Sequence, residues 1–318
     1  MDDGEEDEED YGEDEPLHWV DCNETEQDLA KMQRLLSRNP SCLNSHHPAN
    51  SNATPLFRAV SYGHPVCVEF LLNAGADPNL DSPTAPVHIS IFGDLPDITE
   101  ILLKNGASAN ANAYANRCAY IVSAARIRAV DTVRLLLDYG AFTEDLDYLQ
   151  SYKDGIADSM NSIQSFFLGT PLAIAALEGD LAIFRLLLLR GALPTIHTEQ
   201  HNVVQAVQDA HSVPRLLAHE CTASTNTKCR ILRTFHQFGG DPLQRLRNGK
   251  SAYSKHKQRN KDLRALATDL SGTPRTLMAI CRLVVLRAIG KDYLNRVQLL
   301  RGLLPKTVCD FLEFPEEN

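Results

Sequence analysis

Catalysis needs polar groups that converge, so the histidines, cysteines and carboxylates come first. His197-Thr198-Glu199-Gln200-His201 offers two imidazoles and a carboxylate in a short span. In a zinc helix of the H-E-x-x-H type the glutamate directly follows the first histidine. Here Glu199 stands one position late, and a loop between helical pairs accounts for the segment. His211, His219, Cys221 and Cys229 would have to collect a metal ion at spacings that fit no common zinc site. No G-x-x-x-x-G-K-S/T, no G-x-S-x-G and no Rossmann glycine pattern occurs. The expectation is a protein that is not an enzyme and requires neither metal nor cofactor.

What repeats instead is a structural unit. Its clearest copy runs from Thr54-Pro55-Leu56-Phe57 to Gly75-Ala76-Asp77-Pro78-Asn79. Thr54 can cap a helix, and Pro55 at the first helical position has a fixed φ and no donor to waste. Leu56, Ala59 and Val60 then face inward, and Gly63 ends the helix. A second apolar helix carries Val68, Leu71 and Leu72, with Gly75 just past its end where φ > 0 is wanted. Neither helix can bury its apolar face alone, so the unit requires stacked neighbours. Three follow: Pro86-Val87-His88 to Gly106-Ala107, Ala119–Ala125 to Gly140-Ala141, and Thr170-Pro171-Leu172 to Gly191-Ala192. The interval from the threonine-equivalent position to the second glycine is the same in all four. This unit resembles the ankyrin repeat, matched best by the first and fourth copies. The second and third depart from it: Asp94 replaces the first glycine of one, and Tyr120-Ile121 replace Pro-Leu in the other.

Around this array the chain changes character several times. Residues 1–16 form an acidic tail; the first fifteen hold eleven carboxylates and no basic group. The formal charge of −10 is therefore local, because the remainder carries 31 basic against 30 acidic residues. The tail reads as a disordered solubilising segment or as a docking peptide for a basic partner. Residues 17–270 hold about six units, opening with a degenerate capping unit whose helix spans Asp28 to Ser37 and ends at Asn39-Pro40. An insert within 145–167, rich in Tyr148, Tyr152, Met160, Phe166 and Phe167, is either a binding element or a tolerated loop. Beyond the fourth unit the pattern blurs. Val203 to Val207 is expected to begin an inner helix and Cys229 to Phe238 to form an outer one. The eight cysteines are scattered, with no C-x-x-C pair, and read as buried reduced thiols of a cytoplasmic or nuclear protein. No apolar run approaches the roughly 20 residues of a membrane span. The basic stretch 245–264 has only Tyr253 as an aromatic, which argues against nucleic acid.

From residue 271 to 318 three short helices are expected, opening at Thr273-Pro274, around Tyr293 and near Pro305. Leu277, Cys281 and Val285 lie four apart and share a face, with Ile280 and Val284 beside them. So many apolar groups cannot be covered by three short helices alone. This stretch resembles a SOCS box: a small residue then a leucine, a cysteine four later, an aliphatic residue four later again. The resemblance implies an elongin C contact made by Leu277, Ile280, Cys281, Val284 and Val285, with Leu277 as the inserted anchor. The family's cullin-selecting Leu-Pro-Leu-Pro element reads Gly302-Leu303-Leu304-Pro305 here, followed by Val308, Phe311 and Leu312. Its first leucine and first proline are missing, so elongin binding is better supported than cullin choice.

Repeats followed by this box make the chain similar to the ankyrin repeat and SOCS box family. That resemblance implies an all-α solenoid ending in a three-helix box. It also implies a substrate receptor of an elongin B/C, cullin-5 and RING ubiquitin ligase, acting in the cytoplasm and also the nucleus without membrane or nucleic acid. A protein substrate would be held by exposed positions of the array, with Arg58, Tyr62, Phe92, Arg126 and Glu178 as candidates. An ankyrin scaffold that recruits no ligase is the alternative.

Overall fold

The computed structural model describes residues 26–46, 53–80, 84–110, 112–113, 118–143, 170–192, 194, 212–244, 251–253 and 260–273. Towards the carboxy terminus it adds 280–281, 283–285, 288, 299, 303 and 305–312. The acidic tail, the 145–167 insert, His197–His201, His211, Leu277 and Leu304 lie outside the described residues. The chain divides into two units, residues 1–115 and 116–318.

In the first unit, α1 (Glu26–Arg38) leads through a 3-10 turn (Pro40–Asn44) to two helix pairs. These are α2 (Pro55–Tyr62) with α3 (Pro65–Asn73), and α4 (Pro86–Phe92) with α5 (Pro96–Lys104). α2 packs on α4 and α3 on α5, so the pairs form an inner and an outer layer. The expected start signals work physically. The Thr54 hydroxyl accepts from the Phe57 amide at 3.2 Å, and Pro55 fills the first helical position. Leu56, Val60, Val68, Leu71, Ile91, Ile98 and Leu102 are at most 2% exposed and make the core.

The hairpins that join successive pairs are tied by asparagine. Asn79 donates from Nδ2 to the Gly106 carbonyl at 3.0 Å and accepts the Ser108 amide at 2.8 Å. Asn44 accepts the Asp77 amide at 3.0 Å, so the degenerate first unit joins the stack by the same kind of bond. Asn79→Ala removes two such bonds and is expected to lower unfolding free energy by about 1 kcal/mol, measured by urea denaturation. An unchanged midpoint would mean the hairpins are held by packing alone.

One buried group makes this unit pH-sensitive. His88 is 2% exposed, accepts or donates at Nδ1 to the Thr84 hydroxyl at 3.1 Å, and meets Phe92 edge-on at 4.5 Å. Burial holds its pKa below the ordinary 6.5. On acidification the unfolded chain takes up this proton first, so stability is intact above pH 6.5 and falls as pH drops below it. The urea midpoint of the wild type should therefore fall more than that of His88→Gln between about pH 7 and 5. Parallel curves would remove His88 as the cause.

In the second unit, α6 (Tyr120–Arg126), α8 (Pro171–Glu178) and α10 (Val213–His219) form the inner layer. α7 (Val130–Asp138), α9 (Leu181–Leu189) and α11 (Thr225–Gln237) form the outer one, with α12 (Lys261–Gly272) packed on α11. Val133, Leu136, Phe184, Leu187, Leu217, Ile231 and Phe235 are fully buried. Asp180 caps α9 by accepting the Ile183 amide at 3.0 Å, and its other oxygen faces the Arg128 Nε at 3.4 Å. Arg190 reaches back to Asp138 at 2.6 Å. Tyr253 donates to the Pro242 carbonyl at 2.9 Å, and burial, followed by the Asp241 carboxylate, pushes its phenol pKa up.

Four outer helices end alike. The amides of Ala76, Ala107, Ala141 and Ala192 reach the carbonyls of Leu71, Leu102, Leu136 and Leu187, while Gly75, Gly106, Gly140 and Gly191 take φ of +84° to +96°. This double closure is the Schellman arrangement. At the inner turns Gly63 and Gly179 are left-handed, and so are Asp94 (φ +50°) and Arg128 (φ +63°). The glycine-less copies thus reverse direction in the same conformation.

The described elements are helical, as expected, apart from one pair of two-residue strands, Asn112–Ala113 and Cys118–Ala119. The helix Val213–His219, opened by Val213-Pro214, packs on α11, and the start expected at Val203–Val207 lies outside the described residues. Two expectations need correction. α11 begins at Thr225, before the expected Cys229, because the Ser224 hydroxyl accepts the Thr227 amide at 3.2 Å and opens a polar first turn. Cys67 is fully buried and disulfide-bonded rather than a free thiol; spacing along a chain does not reveal which sulfurs the fold brings together.

Candidate protein-interaction surfaces

Two kinds of exposed surface stand out, one on the repeats and one near the carboxy terminus. In the first unit the last turn of α2 presents Tyr62, 59% exposed, with the Arg58 guanidinium stacked over its ring at 5.6 Å. Arg58 also donates to the Tyr62 hydroxyl at 3.4 Å, and His64 lies beside the ring at 6.1 Å. Phe92, at the end of α4, is 55% exposed. Both helices bury their opposite faces, so these aromatics stay out because the pairing of α2 with α4 uses other positions. Exposed tyrosine, phenylalanine and stacked arginine are the residue types that anchor protein partners.

In the second unit Arg126 and Glu178 close α6 and α8, and both are half-buried. Ile127, Tyr139 and Phe142 are exposed there, a feature that the repeat pattern alone did not single out. Ile127 and Tyr139 are the capping residues that end α6 and α7, and Phe142 follows the turn after α7, positions where the helical periodicity stops specifying burial.

The carboxy-terminal helical residues divide sharply by face. Leu283 is buried, whereas Ile280, Cys281 and Val284 are exposed, the last at 59%. Val285 is half-buried. Positions 280, 281 and 284 lie on one side of a helix, so three apolar groups share a solvent-facing strip. Further on, Leu303 and Pro305 are exposed, Val308 is partly so, and Leu312 is buried. Phe311 lies on α13 (Lys306–Leu312).

Among the described residues no group of three or more histidines, cysteines or carboxylates is placed to hold a metal ion. His219 instead bonds the Ala252 carbonyl at 2.6 Å, Cys221 is buried and Cys229 is half-buried. No described helix is long and apolar enough to cross a membrane.

Residues 51–82 match the family model described as ankyrin repeat. Ankyrin repeat protein nuc-2 of Neurospora crassa is 28% identical over 187 residues, covering 58% of this chain. The match spans only 15% of that relative's length. Among solved structures, the human ASB11 ankyrin repeat domain aligns with 70% of this chain and all of its own, at 19% identity and a TM-score of 0.41. The family match places an ankyrin repeat at residues 51–82, and the later helix pairs repeat its caps and turns.

Proposed function

We propose that this chain is the substrate-recognition subunit of an elongin B/C–cullin–RING ubiquitin ligase. The array would hold a protein target, and the carboxy-terminal segment would dock elongin C. The observation that carries this reading is the exposed strip of Ile280, Cys281 and Val284. It lies within the stretch whose small–leucine–cysteine–aliphatic spacing resembles a SOCS box, with Leu283 turned inward. A helix that keeps apolar groups in water beside such a motif suits groove binding, with Leu277 as the anchor.

In this role the chain performs no bond chemistry and needs no cofactor. It raises the effective concentration of a target lysine near the ubiquitin-charged enzyme, promoting ubiquitination and proteasomal degradation. Cullin-5 with its RING subunit is the proposed scaffold, through Leu303, Leu304, Pro305, Val308, Phe311 and Leu312. Arg58, Tyr62, Phe92, Arg126 and Glu178 are the proposed target contacts, in the cytoplasm and the nucleus. The Gly302-Leu303-Leu304-Pro305 departure favours a second reading, an ankyrin adaptor that recruits no ligase.

Co-expression with elongins B and C separates the two. A complex of all three chains surviving size-exclusion chromatography is expected. A folded chain eluting without elongins leaves the adaptor reading.

A further inference from the structure

Equivalent positions of stacked repeats face the same way, so one position can be read along the array. The closing hydrogen bonds of the outer helices fix the equivalence. They end on Leu71 and Leu102 in the first unit, and on Leu136, Leu187 and Phe235 in the second. Two residues before each of these, the first unit carries Glu69 and Glu100 and the second carries Arg134, Arg185 and Arg233. Arg134 and Arg233 are exposed, and Arg185 is half-buried. α7 packs on α9 and α9 on α11, so the three arginines form a row across neighbouring outer helices of the second unit. Arg230, exposed one turn before Arg233, widens the last rung.

Little on these helices neutralises the row. α9 and α11 contain no carboxylate, and α7 contains Asp131 and Asp138. Asp138 is taken by Arg190 at 2.6 Å. Arg134, Arg230 and Arg233 form no ion pair among the described residues. α12, packed on α11, adds Lys261 and Arg264 against Asp262 and Asp269. The whole chain has a formal charge of −10, so the row is a local positive surface on an acidic protein.

The spacing of the row selects its ligand. Packed helices lie about 8–10 Å apart, and an extended peptide advances about 3.3 Å per residue. Every third residue of such a peptide therefore reaches the next arginine. Leu135 and Leu186, each next to an arginine of the row, are half-buried and offer apolar surface beside the charges. The phenylalanines of these helices, Phe184 and Phe235, are fully buried, so the row offers nucleic-acid bases no aromatic platform.

We propose that this row docks an acidic segment of a partner protein, bound extended across α7, α9 and α11 with a carboxylate at every third residue. Each guanidinium donates to one carboxylate through its planar fork. The site does not depend on the elongin reading.

The test uses the full chain and a fluorescent peptide of repeated Glu-Ser-Ser. Binding is followed by fluorescence polarisation at an ionic strength of about 0.05 M, where exposed charges are weakly screened. Wild type should bind this peptide and should not bind its Gln-Ser-Ser counterpart. Arg134→Gln with Arg233→Gln removes two exposed charges and should weaken binding about ten-fold. Arg34→Gln with Arg38→Gln removes the same charge from exposed positions of α1 and should leave binding unchanged. Circular dichroism verifies that both double variants are folded. Equal losses in the two, or no binding by wild type, would overturn the site. A single-stranded uridine oligonucleotide that binds more tightly than the peptide, with the same dependence on Arg134 and Arg233, would overturn the partner class and assign the row to nucleic acid.

Discussion

Phe184→Ala should cost about 3–5 kcal/mol of unfolding free energy. Phe184 is 0% exposed and fills the core position four residues after the Asp180 cap. Its helix, α9, packs on α7, α8 and α11, so the ring stands where an outer helix meets three neighbours. Alanine there loses the transfer free energy of the ring and leaves a cavity that helices pinned by caps and Schellman turns close poorly. In a solenoid each unit is supported only by those beside it. The loss should therefore appear as a lowered urea midpoint, with near-native circular dichroism in water. A cost below about 1 kcal/mol would mean that the layers slide together to fill the void.

Gly179→Ala should be nearly as damaging, for a different reason. Gly179 turns the chain from α8 into α9 at φ +71°. A side chain in that conformation costs about 1–2 kcal/mol. The added Cβ would also fall against the Cβ of Ala223, with the Cys221 sulfur 3.4 Å away. Overpacking of this kind adds about 1–3 kcal/mol. Gly140 is the internal control, since it has φ +84° but a Cβ there meets nothing within 4 Å. Gly140→Ala should show the conformational cost alone. Equal losses at the two sites would show that the 221–223 loop moves aside freely.

Much of this architecture was legible in the residues. Thr54-Pro55 and Thr170-Pro171 announce capped helix starts, and both threonine hydroxyls make the expected bond. The second glycine of each copy marks a turn because a left-handed residue closes the Schellman bonds. The pattern failed where another group supplied the same physics. Asp94 and Arg128 adopt the left-handed turn without glycine, so the stop signal was weaker than the stop itself. α10 starts from Val213-Pro214 without a side-chain cap, the Ser212 hydroxyl being turned to Gln244, so no capping signal announced it. Lys228 hid the first turn of α11, because a charged residue on a core stripe breaks the periodicity by which helices are read.

The candidate surfaces were legible to different depths. Spacing alone could nominate 277, 280, 281, 284 and 285 as one helical strip. It could not say that Leu283 turns inward while Ile280 and Val284 stay in water. On the repeats, Tyr62 and Phe92 were nominated by position. The stacking of Arg58 over Tyr62 depends on a four-residue helical separation that makes contact only once α2 is formed.

The measurement that tests the central proposal most directly is the affinity of the purified chain for the elongin B/C pair. A Leu277→Arg, Cys281→Arg double variant would be measured in parallel, with circular dichroism as the folding control. Wild type is expected to bind, and the variant to bind about 100-fold more weakly or not at all, since both charges would enter an apolar groove. Equal affinities, or no binding by a folded wild type, would contradict the ligase-receptor account.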